Sequence, residues 1–259
     1  MTVIVTVLGC GGSGGVPLVG DIWGDCNPNE PKNRRRRPSL LVQNEATTLL
    51  VDAGPDLREQ LLDAQVTNVD AVLFTHAHAD HCHGLDDLRP LVYKRKRPIP
   101  AYADPNTLNA LKMRFEYAFE EIQAEKTFYS PLLRGIAIDP GHSFSVGPFD
   151  CISFWQTHGN MPTVGYRIGN IGYSPDAADL SAAAFEILQG IDLWVVDCLR
   201  YEPHPTHAHF EKTLSWIEKI KPRQAVFTHM NHQLDYHHVT TRCPDGVTPG
   251  YDGMRIFCS

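Results

Sequence analysis

Short apolar runs recur along this chain, each closed by turn-forming residues, and their spacing sets the first expectations. Thr2–Leu8, Ser39–Gln43, Thr48–Val51 and Ala71–Thr75 read as strands. Helical patterns follow at Leu57–Ala64, His83–Tyr93 and Pro105–Glu121. In the last of these, Leu108, Leu111, Phe115, Phe119 and Ile122 recur at three- and four-residue steps, Asp104 can cap, and Pro105 suits the first turn. A second group of strands comes next: Gly135–Ile138, Cys151–Gln156, Val164–Ile168 and Ile171–Ser174. Ser181–Gln189 reads as a helix stopped by Gly190, Leu193–Asp197 as a strand, and His209–Ile220 as a helix ended before Pro222. Gln224–Thr228 and Met254–Cys258 are the last strands. No repeat or linker divides residues 1–259, so one domain is expected. Two successive groups of strands and helices suggest two sheets back to back with helices outside, although periodicity by itself supports only α/β or α+β.

Composition narrows the class. At 259 residues, 42% hydrophobic and 20% charged, the chain can bury a large core. No apolar run approaches the roughly 20 residues that cross a bilayer. Met1–Leu8 lacks a basic leading segment and runs into glycines, so it reads as a first strand and not a signal peptide. The 7 cysteines are odd in number and not closely paired, which favours reduced, buried thiols and a cytoplasmic setting. A net charge of −7 argues against a general nucleic-acid binder.

Gly9-Cys10-Gly11-Gly12-Ser13-Gly14 matches the dinucleotide fingerprint literally and follows a strand. That fingerprint also needs a helix to start there. Pro17, Gly20, Gly24 and Pro28 follow instead, so the run reads as a tight turn whose backbone N–H groups are candidates for an anion contact.

Candidate chemistry concentrates in His76-Ala77-His78-Ala79-Asp80-His81, just past the strand at 71–75. Imidazole and carboxylate together are ligands for zinc or manganese. Alternate residues of an extended turn project to one side, so His76 and His78 can share one ion. Asp80 and His81, past the bend, can reach a second. His158, Asp176 and His229 each follow a later predicted strand, and loops at the same ends of packed strands converge. Each of these three also has a plainer reading as a loop histidine or a turn aspartate.

The His-x-His-x-Asp-His pattern resembles the signature of the metallo-β-lactamase-fold hydrolases, and the resemblance extends over nearly the whole chain. It implies a four-layer αββα sandwich. It implies that His76, His78 and His158 hold one divalent ion, that Asp80, His81 and His229 hold the other, and that Asp176 bridges. Within the superfamily, Leu8–Pro17, Thr228–Asp235 and Gly250–Met254 are similar to the phosphodiesterase branch that contains ribonuclease Z and the phosphoribosyl cyclic phosphodiesterases. A dinuclear centre suits that chemistry, because ions about 3.5–4 Å apart hold a hydroxide between them and neutralise phosphoryl oxygens.

The same resemblance supplies supporting residues. Asp52 resembles an early aspartate that orients the His-rich loop. His207, in Pro205-Thr206-His207, resembles a substrate-side histidine that binds phosphate or protonates the leaving oxygen, with His209 as its competitor. Asp80 is grouped with it as catalytic. Asp197 resembles a strand-end aspartate with a supporting role. His204, His237 and His238 read as surface residues, and His142 is unassigned. Arg34, Arg35, Arg36 and Arg37 form a basic run that reads as a solvated loop or as a holder of a substrate phosphate. The cyclic phosphodiesterases carry a cysteine-rich loop that, with a histidine placed like His232, holds a third zinc. Cys26 alone matches it here, so two ions are expected and not three.

The expected activity is metal-dependent hydrolysis of a small cyclic or nucleotide-like phosphodiester, in a homodimer by analogy, with no membrane and no stable nucleic-acid partner. One rival is a hydrolase of the same fold acting on a thioester, lactone or lactam. A non-catalytic metal-binding protein is a second. A transfer-RNA 3′-processing nuclease is a third, disfavoured by the charge and by the absence of an inserted arm.

Overall fold

The computed structural model describes residues 2–119 and 131–258. The strands and helices run β1 (Val3–Gly9), β2 (Ser39–Gln43), β3 (Thr48–Val51), α1 (Leu57–Asp63), β4 (Ala71–Leu73), α2 (Ala79–Cys82), α3 (Arg89–Arg95), β5 (Ile99–Ala103), α4 (Pro105–Arg114), α5 (Glu116–Phe119) and β6 (Leu133–Ala137). They continue β7 (Ser143–Val146), β8 (Phe149–His158), β9 (Met161–Ile168), β10 (Ile171–Ser174), β11 (Asp179–Leu180), α6 (Ala182–Ile187), β12 (Leu193–Asp197), α7 (Phe210–Ile220), β13 (Gln224–Thr228), α8 (Tyr236–Arg242), β14 (Val247–Pro249) and β15 (Met254–Cys258).

The first sheet has the order β15-β1-β2-β3-β4-β5-β6. It is antiparallel from β15 to β3 and parallel from β3 to β6. The second has the order β11-β8-β9-β10-β12-β13-β14, with β7 also on β8. Its β10-β12-β13-β14 part is parallel.

Alternation explains the layers. In β2, Leu40 and Val42 join the core between the sheets, while Leu41 faces the helices outside. A strand buried on both faces reads as an unbroken apolar run. Leu57, Leu61, Leu108 and Leu111 cover the outside of the first sheet. Phe185, Phe210, Trp216 and Ile217 cover the second. The result is the expected four-layer αββα sandwich. Among the described residues, no helix is long and apolar enough to cross a membrane.

Three departures have physical reasons. The helix predicted at 83–93 begins late, with a 3₁₀ turn at Leu85–Leu88 and α3 only from Arg89, because Pro90 suits a first turn and not an interior. The helix predicted at 105–121 stops at Arg114 and resumes as α5; its last two residues and Ile122 lie outside the described residues. β5, with Pro98 before it and Pro100 within it, was not expected as a strand.

The layout fixes where chemistry can gather. The parallel strands β3, β4, β10, β12 and β13 end just before or at Asp52, His76, Asp176, Asp197 and His229.

Candidate metal centre

Asp52 turns the chain after β3 with a left-handed backbone, φ 62°. Fully buried, it accepts hydrogen bonds from the Thr75 N–H at 2.9 Å and from His81 Nδ1 at 2.7 Å. It thus grips both ends of the His-rich turn. His76 Nδ1 lies 3.0 Å from Thr75 Oγ1, and its Nε2 lies 2.9 Å from His78 Nδ1. His158, at the end of β8, donates from Nδ1 to the Thr206 carbonyl at 2.7 Å, which directs Nε2 toward Asp176. His207 donates from Nδ1 to Asp197 at 2.9 Å, leaving Nε2 3.8 Å from Asp176. Asp197 also accepts the Ala177 N–H at 2.9 Å, next to Asp176.

Two groups of converging donors result, each with its candidate ligand atoms within 4.8 Å of one another. His76, His78, His158 and Asp176 form one; Asp80, His81, Asp176 and His229 form the other. Asp176 belongs to both. A third group, Asp197, His207 and His229, adjoins them. All the residues expected as ligands from the sequence therefore meet, from two sheets.

Electrostatics shows what the cluster seeks. Burial opposes charge on every member. For Asp176, the imidazoles of His229 and His81 outweigh burial and hold its carboxyl well below the ordinary range. Burial likewise disfavours protonated His229, yet Asp176 and Asp80 raise it to about 9. His81 is raised too, against burial, by Asp176, Asp80 and Asp52. His76 goes the other way, lowered by burial and by His81. The carboxylates thus draw positive charge onto the histidines between them. His81 Nε2 and Asp176 Oδ2 lie 2.8 Å apart without hydrogen-bond alignment, and both are buried with no hydrogen-bond partner among the described residues. A cation bound there would replace those protons: converging imidazoles, shared carboxylates and orphaned buried atoms aimed at one space are a donor set that fits divalent cations.

The basic run requires a correction, because the structure does not bring it into this cluster. Arg35 is 2% exposed and gives its guanidinium to the Asn231 and Leu234 carbonyls, so neither a solvated nor a phosphate-holding role suits it. Arg36 pairs with Asp63 at 2.7 Å and Arg37 with Asp56 at 3.0 Å. Arg34 lies 5.1 Å over the Trp23 ring. A cavity of about 750 Å³ is lined by Arg34, Arg36 and Arg255 among others and by none of the clustered histidines. The glycine turn's anion reading also weakens: the N–H groups of Gly11, Gly12 and Gly15 already reach the carbonyls of Arg36, Met230 and Gly12. Asp25 N–H bonds the His232 carbonyl, while no candidate ligand group among the described residues includes Cys26 or His232.

Sequence reasoning missed two neighbours of the centre. His204 was read as surface, but its ring lies 5.3 Å from that of His207. Arg114, at the end of α4, donates to the Ala77 carbonyl between His76 and His78. The spacing His204-Pro205-Thr206-His207 is a local sign of the first; nothing local marks Arg114.

Comparison with known proteins agrees with this geometry. Residues 47–230 match the sequence profile of the beta-lactamase superfamily domain. The crystal structure of a diphosphatase from the PhnP family is 34% identical, with a TM-score of 0.90 over 100% of this chain and 98% of that one. The chain belongs to the PhnP family of the beta-lactamase superfamily. Its fold family is one of metal-dependent hydrolases. This PhnP-family chain is also 34% identical to an octanoyltransferase of Porphyromonas gingivalis, over 97% of itself and 51% of that protein. It is 32% identical to a ribonuclease Z of Methanopyrus kandleri, over 53% of itself and 46% of that protein. The chain spans about half the length of these two relatives.

Proposed function

We propose that this protein hydrolyses a small phosphodiester, cyclic or nucleotide-like, with two divalent cations, zinc or manganese. His76, His78 and His158 would hold one cation, Asp80, His81 and His229 the other, with Asp176 between. The observation that carries the reading is the membership of Asp176 in both donor groups. Bound there, the cations supply Lewis acidity that activates water and neutralises phosphoryl oxygens.

The chain's own residues orient the reaction. Asp197 fixes His207 through Nδ1, so Nε2 faces the cluster and is placed to pass a proton to the leaving oxygen. The Asp80 carboxylate, beside His81 and His229, orients the attacking water. Asp52 and the Thr206 carbonyl hold His81 and His158 in the tautomers that turn Nε2 inward. The names of the diphosphatase and ribonuclease Z relatives both specify phosphate bonds, which favours phosphate over carbonyl chemistry. The octanoyltransferase name favours an acyl substrate, but it describes a protein about half of which this chain does not match.

A substrate screen of the zinc- and manganese-loaded protein tests the proposal. Bis-p-nitrophenyl phosphate, cyclic nucleotides and phosphoribosyl cyclic phosphate would be compared with an octanoyl thioester and a lactam. Phosphodiester turnover is expected, with phosphomonoesters inhibiting as products. Thioester or lactam hydrolysis with no phosphodiester cleavage under either metal overturns it.

A further inference from the structure

We infer that Arg35 is a positioning residue for one half of the metal centre, because it holds the segment that carries His229. The inference rests on the two-cation reading above and adds an asymmetry to it.

His229 differs from its neighbours in how its ring is held. His76, His81, His158 and His207 each have Nδ1 anchored, on Thr75, Asp52, Thr206 and Asp197 respectively. His229 Nδ1 is buried and has no partner among the described residues. Only Nε2 meets a side-chain acceptor, Asp80 Oδ2 at 3.4 Å within the same donor group, so with Nδ1 unanchored the ring's direction depends on the backbone. That backbone is left-handed at His229, φ 58°, a strained conformation for a side chain with a Cβ. It persists only if the following segment is fixed.

Arg35 fixes it. Nη1 donates to the Asn231 carbonyl at 3.1 Å and Nη2 to the Leu234 carbonyl at 2.6 Å, so one guanidinium closes both ends of the turn after His229. Asn33 extends the hold. Its Oδ1 accepts from Arg35 Nη2 at 3.2 Å and from the Tyr236 N–H at 2.8 Å, and its Nδ2 donates to Asp235 at 2.7 Å. Asp235 in turn caps α8 through the His237 and His238 N–H groups. Arg35 is itself pinned, its backbone exchanging two hydrogen bonds with Val16. A Cβ on Gly11 would stand 2.9 Å from the Arg35 Cβ, so a glycine there admits the arginine. A planar fork holds two carbonyls at a fixed separation; an ammonium on a flexible stem does not. His76, His78 and His158 are held by other groups, and no hydrogen bond joins Arg35 to them.

Arg35→Lys tests this with zinc alone as the probe, by chelator competition and elemental analysis. In a His158→Ala background the remaining zinc sits in the His229 group, and Arg35→Lys is expected to weaken it about 10–100-fold, the range for loss of a supporting partner. In a His81→Ala background the remaining zinc sits with His76, His78 and His158, and the same change leaves its affinity within about twofold. Asn33→Ala, which keeps the arginine but removes its extension, follows the same pattern more weakly and carries the test if Arg35→Lys does not fold. Equal weakening in both backgrounds, or none in either, overturns the inference. A wild-type protein that binds fewer than two zinc ions defeats the two-cation reading instead.

Discussion

Two buried polar clusters lie within one loop of each other in this molecule, and they differ in how their atoms are answered. Around Arg35, Asn33 and Asp235, almost every donor and acceptor meets a partner of the chain itself. Around Asp176, buried atoms converge on a shared space and stop there, as His81 Nε2 and Asp176 Oδ2 do. Both clusters are charged and both are inside. The difference teaches that burial and charge do not mark a functional site. Unanswered polar atoms aimed at one point do, since leaving them so is costly unless something arrives to meet them.

The largest expected effect comes from removing the residue that both donor groups share. Asp176→Ala should release both ions and lower affinity for each by more than the roughly 100-fold that a supporting partner costs. Elemental analysis that still finds two tightly held ions would erase the contrast between the clusters, since Asp176 would then be no more than another satisfied side chain.

A change at the edge of the centre should separate chemistry from metal holding. His207→Ala is expected to keep both ions while kcat falls roughly 10²–10⁴-fold, the range for a lost general acid. Loss of an ion would move His207 among the ligands, and an unchanged rate would pass its role to His204 or to water.

The smallest effect lies on the satisfied side. Asp252 accepts the Arg36 and Cys10 N–H groups at 2.8 and 3.2 Å, yet burial pushes its carboxyl up to about 6. A raised pKa in the folded state means that its stabilising contribution is full below the ordinary carboxylate range and is lost as pH rises through about 6. Between pH 4 and 7, Asp252→Asn should therefore gain on the wild type by on the order of 2 kcal/mol. Urea unfolding at both pH values measures it. A difference between the two proteins that does not change with pH would show that the carboxyl is not held protonated.

The same contrast explains what the sequence could reveal. Ser39–Gln43, Ile171–Ser174, Leu193–Asp197 and Gln224–Thr228 have the expected bounds, because strands buried on both faces leave uninterrupted apolar runs. The clustered histidines and aspartates were legible because several ligand types crowd one turn and the others follow strands. Arg35 was not, since a charge run reads as solvated and nothing local shows that two carbonyls about 200 positions later await it. α8 was missed because Tyr236-His237-His238-Val239-Thr240-Thr241 has β-branched residues and no apolar stripe; its cap on Asp235 and its packing make it a helix. Arg114 reaches the centre through tertiary contact alone, whereas His204 reaches it from three positions before His207.

The pairing of β1 with β15 governs how this chain is made. Val3 faces Cys258 and Val7 faces Met254, so one side of the first strand waits for the last. At about 5–20 residues per second, synthesis leaves that edge open for roughly 12–50 s. Ile4, Val5 and Val7 stand along it as a template for any passing strand. Yield in a cell should accordingly depend on chaperone supply more than on the stability of the finished fold, and slowing translation near the end should lower it.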